Sequence, residues 1–149
     1  MVLEVKPLSP KIGGEIPLPF YATPGSAAMD LHACLDEPVE LLPRQLVTIP
    51  TGLAIALPSP EYVALVFARS GLGVRHGIAL SNGVGVIDSD YRGELLVGLT
   101  NLSDVPYTIH PGDRIAQLCV MPVMRPELRL CETLSETGRG SGGFGSTGI

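Results

Sequence analysis

Apolar residues in this chain come in short, branched runs that proline or glycine cuts off every few positions, and this punctuation limits the fold more than any other feature. The runs cover 2–6, 39–42, 45–49, 52–57, 61–69, 94–102, 105–109 and 114–121, which is the spacing of strands and turns. With 18 glycines and 14 prolines in 149 residues and no long stretch of helical apolar spacing, a helical bundle or coiled coil is excluded. The length fits one domain with one core. The chain therefore reads as all-β, a sandwich or barrel. Between 61 and 69 both alternating faces are apolar, Tyr62, Ala64 and Val66 against Val63, Leu65 and Phe67, which predicts a strand covered on two sides. It stops at Arg69 and Ser70, where SGLGVRHG predicts a brief helical turn that aims backbone N–H groups outward.

The last fifteen residues differ from the rest. In SETGRGSGGFGSTGI, six of the eleven residues from 138 to 148 are glycine, too little side chain to build a core. Fixing one residue costs about 1–2 kcal/mol, so ordering this arm costs on the order of 10–20 kcal/mol unless a ligand or partner supplies it. The organisation expected is a core over 1–134 and a mobile arm over 135–149.

Charge narrows the partners. A net charge of −5, with ten lysines and arginines that never cluster, argues against a nucleic-acid polymer or an acidic membrane, and no apolar run approaches a membrane span. A small anion remains open if a metal ion assists. The N-terminus shows no basic segment followed by an apolar core, and three cysteines at 34, 119 and 131 are odd in number and far apart, which reads as a reduced, cytoplasmic protein.

Five places carry candidate chemistry, each with two readings. Arg69, Ser70 and Gly71 combine a guanidinium fork, a hydroxyl and an approachable backbone, suited to phosphate oxygens or to a solvated turn. In GVIDSDYRGE, Asp88, Asp90 and Tyr91 either gather a carboxylate and a phenol around a pocket, where the carboxylate deprotonates water or meets a cation, or form an ordinary Asp-Ser-Asp turn. Gln117, among Ile115, Ala116, Leu118 and Cys119, needs a partner that is either a ligand or the core. Asp30, after PGSAAM, either answers a metal-bound water or caps a turn. In the arm, Phe144 can stack on a base, a contact worth roughly 1–3 kcal/mol, while Arg139, Ser146 and Thr147 wrap a terminal phosphate; the alternative is a plain tail. The histidines and cysteines lack metal-ligand spacing, and no Ser-His-Asp arrangement is evident.

Taken in order, PGSAAMDL (24–31), ARSGLG (68–73), NGVGVIDSDYRGEL (82–95), GDRIAQL (112–118) and RGSGGFGSTG (139–148) resemble the five motifs of the trimeric deoxyuridine triphosphatase (dUTPase) family, in the same order and spacing. The pattern departs at Ala28, where glycine is frequent, and at Ala68, where proline often precedes the arginine. Both changes bear on loop geometry and leave the functional groups in place.

The resemblance implies a distorted jelly-roll-like β-barrel with a flexible Gly-rich C-terminal arm, assembled as a homotrimer with active sites at subunit interfaces. It implies hydrolysis of dUTP to dUMP and pyrophosphate with Mg2+, keeping uracil out of DNA and supplying dUMP for thymidylate synthesis. Asp88 corresponds to the base that activates water for attack on the α-phosphorus, and Tyr91 to the ring beneath the deoxyribose. Asn82 and the backbone of Val86, Ile87 and Leu96 correspond to the readers of the uracil edge. Arg69, Ser70, Gly71 and Gln117 match phosphate contacts, and Asp30 matches a residue that meets the metal through water. Phe144 would cover uracil while Arg139, Gly145, Ser146 and Thr147 close on the outer phosphates. A dCTP deaminase shares the fold, and a non-catalytic nucleotide sensor is the reading from another class; the complete arm weighs against the first and the presence of Asp88 against the second.

Overall fold

The computed structural model describes residues 1–143, so Phe144, Gly145, Ser146 and Thr147 lie outside the described residues. The elements, in chain order, are β1 (Glu4–Pro7), β2 (Met29–His32), β3 (Val39–Leu41), β4 (Leu46–Pro50), β5 (Leu53–Ala56), β6 (Tyr62–Ala68), α1 (Ser70–His76), β7 (Ile78–Leu80), β8 (Gly85–Ile87), β9 (Leu96–Asn101), β10 (Tyr107–Ile109) and β11 (Arg114–Pro122). This is the all-β architecture expected, with the helical turn after Arg69. Every strand pair is antiparallel: a four-stranded sheet β2-β11-β6-β8, a three-stranded sheet β4-β9-β7, and the two-stranded pairs β1-β5 and β10-β3. Because β11 lies between β2 and β6, the last strand closes the molecule by joining its early and middle thirds, as a jelly roll does.

The core follows from alternation. Along β9 the exposed Leu96 gives way to buried Val97, Leu99 and Asn101, with partly covered Gly98 and Thr100 between them. These pack with Leu31, Leu41, Ile49, Ile78, Leu95, Ile109, Ile115 and Leu118. Strand β11 breaks the alternation: its register against β2 shifts between Arg114 and Ala116, so the successive residues Ile115 and Ala116 are both buried. A bulge of this kind re-aims the neighbouring side chain, here Arg114, towards β2.

Strand β6 is covered on one side within the chain. Ala64 and Val66 are buried, whereas Val63, Leu65 and Phe67 remain half-exposed on the outer face of the four-stranded sheet. The second cover expected from the sequence is not supplied by the described residues of the same chain. Helix α1 is short because two glycines weaken it and Leu72 is its sole buried residue; it ends at Gly77, whose left-handed φ of 70° lets its N–H close on the Leu72 and Gly73 carbonyls. The strands end at Pro122, and Met124, Leu128, Leu130 and Leu134 beyond it are highly exposed. Among the described residues no helix is long and apolar enough to cross a membrane.

Candidate active site

Antiparallel register builds the first half of the site. On β11, Gln117 lies opposite Asp30 of β2 on one side and Phe67 of β6 on the other. Arg69 follows β6 at the N-cap of α1, where it makes no capping bond with its side chain. Its guanidinium instead donates from Nε to Asp30 Oδ1 at 2.9 Å and from Nη1 to the Arg114 carbonyl at 3.2 Å. Arg114 Nη1 reaches the other Asp30 oxygen at 3.2 Å. One carboxylate, its side chain only 12% exposed, thus holds two guanidinium groups in fixed positions. Gln117 donates from Nε2 to the Ala68 carbonyl at 3.0 Å, which orients its amide and keeps a second N–H for a ligand. These residues share a cleft of about 460 Å³, with Ser26, Ala27 and Ala28 on one wall and Phe67 and Cys119 on another.

The second half is built on the connection from β7 to β8, which crosses from the three-stranded to the four-stranded sheet, and on the turn after β8. Asn82 occupies the exposed turn of this connection, where Gly83 takes a φ of 74°. Asp88 follows β8 directly, and its carbonyl accepts the N–H of Tyr91 at 3.2 Å, so the Asp-Ser-Asp turn exists and also serves to gather the side chains. Tyr91, Asp88, Val86, Ile87, Glu94 and Leu96 line a cleft of about 210 Å³. The Tyr91 hydroxyl donates to the Glu94 carbonyl at 3.0 Å, and Glu94 Oε1 accepts the Gly52 N–H at 2.8 Å, which anchors the turn to the entrance of β5. The ring lies against Gly93: a Cβ there would sit 2.6 Å from Tyr91 Cζ, so any other residue must push the ring aside.

Among the described residues the two halves line separate clefts. Asp30, Arg69 and Gln117 face one opening, and Asp88, Tyr91, Val86, Ile87 and Leu96 another. Ser70 begins α1 on the exposed surface, and Gly71 borders a separate cavity beneath that helix. Arg139 sits in a tight turn, its Nε donating to the Gly142 carbonyl at 2.8 Å. Sequence reading passed over Arg114 although it stands inside GDRIAQL, and passed over Gly93 and Glu94 inside DYRGEL; the positive charge beside Gln117 was a usable signal for the first.

A model of the dUTPase family matches residues 14–148. The deoxyuridine 5'-triphosphate nucleotidohydrolase of Photorhabdus laumondii is 53% identical over 98% of this chain and 96% of that protein. The chain belongs to the dUTPase family. The enzyme of the same description from Escherichia coli O9:H4 is 51% identical over 98% of this chain. Among solved structures, the dUTPase of Staphylococcus bacteriophage 80alpha, bound to dUpNHpp, superposes with a TM-score of 0.87 at 29% identity, covering 99% of each chain. A dUTPase variant from phage phi11 of S. aureus, whose structure describes the coordination of a structural Mg(II) ion, superposes with a TM-score of 0.76 at 26% identity over 89% of this chain.

The donor set of this dUTPase chain can be weighed against a divalent cation directly. Among the described residues, no group of three or more His, Cys, Asp or Glu side chains gathers into a cage. Among the described residues Asp30 is the one carboxylate that lines its cleft. This suits a cation that keeps most of its water, takes its other ligands from phosphate oxygens, and touches the protein through water at a single acid, as Mg2+ does.

His32 closes β2 behind this cleft and is 7% exposed. Burial pushes its pKa below the usual 6.5; Asp30 pulls it back, and Arg114 and Arg69 add to the depression. The folded state therefore takes up this proton at lower pH than the unfolded chain. The neutral ring leaves stability complete above about pH 6.5, and stability falls as pH drops from there through the depressed folded value. Denaturant midpoints measured between pH 5 and 7.5 are expected to fall on the acid side in the native protein and less so in His32→Phe. Equal pH dependence in both would remove His32 as the source.

Proposed function

We propose that the chain carries out the reaction its relatives are named for, hydrolysing dUTP to dUMP and pyrophosphate, by the following route. It is a dUTP diphosphatase in which deoxyuridine occupies the cleft of Tyr91 and the phosphates lie against Arg69, Ser70, Gly71 and Gln117. The observation that carries this reading is the convergence of Asp88 and Tyr91 with Val86, Ile87 and Leu96 on one opening, in a chain of this family. Asp88 accepts a proton from water as that water attacks the α-phosphorus in line. The bond from the α-phosphorus to the bridging oxygen breaks, and its electron pair leaves with pyrophosphate. Arg69 and Gln117, locked by Asp30 and the Ala68 carbonyl, hold the phosphate chain still for that attack. Mg2+, when bound, offsets phosphate charge and fixes the chain by chelation, and Asp30 is the residue that meets its water shell.

Asn82 and the backbone of Val86, Ile87 and Leu96 read the uracil edge. Tyr91 fills the space beneath the sugar, where a 2′-hydroxyl would otherwise sit. The arm over 135–149 closes the site, with Phe144 on the base and Arg139, Gly145, Ser146 and Thr147 on the outer phosphates. Closure excludes bulk water and completes the charge balance for a protein of net charge −5.

The active unit is a homotrimer whose sites lie between subunits. Two features support it: the separate openings of the two half-sites, and the apolar surface left uncovered in one chain, the half-exposed Val63, Leu65 and Phe67 on β6 and the exposed Leu128, Leu130 and Leu134 after β11. A cytoplasmic setting accords with Cys34, Cys119 and Cys131 being free thiols.

The deciding experiment is pyrophosphate release from dUTP, dCTP, dTTP and UTP side by side, with and without Mg2+. Rapid release from dUTP with metal is expected; an intact dUTP pool would overturn the reading, and ammonia from dCTP would redirect it to a deaminase. Gly93→Ala sharpens the sugar assignment. The added methyl must displace the Tyr91 ring, so kcat/KM for dUTP is expected to fall about tenfold and the preference for dUTP over UTP to shrink, with the far-ultraviolet spectrum unchanged. An unaltered dUTP-to-UTP ratio would detach Tyr91 from sugar selection.

A further inference from the structure

A second cavity, of about 350 Å³, lies beneath α1 on the other side of Arg69. Its floor is apolar and belongs to the core, including Leu72, Ile109 and Ile115. Its rim is polar: Arg69, Arg75, His76, Tyr107, Asp113 and Arg114. Three of the chain's ten lysines and arginines therefore border one small cavity, in a protein whose overall charge is −5.

The local charge balance is positive. Arg69 and Arg114 share the single carboxylate of Asp30, which leaves one positive charge uncompensated. Arg75 is exposed and, among the described residues, forms no ion pair. Asp113, the one acid on the rim, already accepts the His110 N–H at 2.7 Å. Tyr107 packs against His76 with ring centroids 5.0 Å apart and planes tilted by 49°; burial first, then Asp113, raises its phenol pKa against the opposing Arg69, and the phenol is a hydrogen-bond donor at neutral pH as any tyrosine is. Guanidinium forks and a phenol over an apolar floor outnumber the one carboxylate on the rim, which suits a compact oxyanion.

We propose that the cavity beneath α1 is a second anion site, which takes a phosphoryl oxyanion between Arg75 and the Arg69–Arg114 pair. The anion is inorganic phosphate or pyrophosphate, two sources of the same chemistry. Arg69 borders both this cavity and the cleft of Asp30 and Gln117. An anion here draws on a guanidinium that nucleotide phosphates also need, so the two ligands oppose each other, and by linkage each weakens the other by the same factor. The inference extends the proposed function only in that the reaction itself would supply one of the two anions.

The test is calorimetric titration of sodium phosphate, and separately sodium pyrophosphate, into the full-length protein saturated with dUpNHpp. Each is expected to bind with about one equivalent per chain, and to raise the Kd of dUpNHpp about fivefold, a factor in the ordinary range of coupling between sites. Arg75→Ala is expected to weaken anion binding at least tenfold while leaving dUpNHpp affinity in anion-free buffer unchanged, and Arg75→Lys to recover most of the loss. Phosphate uptake that vanishes when dUpNHpp is saturating, or that persists undiminished in Arg75→Ala, would overturn the proposal. If dUpNHpp itself does not bind, the functional reading fails, and comparing native protein with Arg75→Ala in direct phosphate titration still decides the anion site.

Discussion

Replacing Asp88 with asparagine is expected to leave dUTP binding within a factor of a few and to lower kcat at least 100-fold. The carboxamide keeps the shape of the side chain and its place after β8, so the pocket shared with Tyr91 and Leu96 survives. What is lost is the acceptor for the water proton, and removal of a general base at a phosphoryl centre belongs in that range. Single-turnover measurement with saturating enzyme separates this from a slowed release step; unchanged turnover would disprove the assignment. The same variant tests the split site. Arg69→Gln damages the other half, so coassembling it with Asp88→Asn allows some sites to draw an intact Asp88 from one subunit and an intact Arg69 from another. Random mixing is expected to restore about a quarter of native activity, because two independent halves must both be sound. Activity no greater than the mean of the two parents would place each complete site within one chain.

Asparagine 101 carries the largest stability prediction. It is fully buried at the end of β9, and its amide nitrogen donates to the Leu41 carbonyl at 2.9 Å and the Val105 carbonyl at 2.8 Å. Its Oδ1 accepts the Ser103 N–H at 2.9 Å and the Ser103 hydroxyl at 2.7 Å. This one side chain ties β3 to the turn that enters β10. Asn101→Leu keeps the branching at Cγ but adds bulk and removes the polar atoms, leaving the Leu41 carbonyl and the Ser103 amide without this partner while the Val105 carbonyl keeps the Ser103 hydroxyl at 3.1 Å. At about 1 kcal/mol or more for each group left unpaired, the loss is on the order of 2–3 kcal/mol, or about 7 °C in the unfolding midpoint of a domain this size. Calorimetry at fixed protein concentration is the check, because an assembled protein melts at a concentration-dependent temperature. A drop under about 2 °C would show that water or a local rearrangement satisfies those groups.

The sequence was legible where pattern is local. The long apolar run ending at Arg69 became β6, SGLGVRHG became α1, and the turn character of the Asp88 segment is borne out. Two strands escaped notice for physical reasons. Met29–His32 alternates an acid and a histidine with apolar residues, because one face supports the site; Ile78–Leu80 is only three residues long and follows directly on the glycine that ends α1. Pairing was beyond reach as well. That Gln117 would stand between Asp30 and Phe67 depends on contacts across most of the chain, and only register reveals it. The division of site residues between two openings follows from the direction each strand end faces, which motif spacing does not encode.

The irregularity in β11 bears on how such a chain can vary over time. Ile115 and Ala116 both point inward while Gln117 must still meet Asp30, so the length of this stretch is tied at once to the interior and to the ligand. Gain or loss of a single codon between 113 and 118 would misplace one of the two. Lineages of this protein should therefore accept insertions in the exposed connection around 17–21, and reject them in this strand even where each new residue would itself be a good β-former.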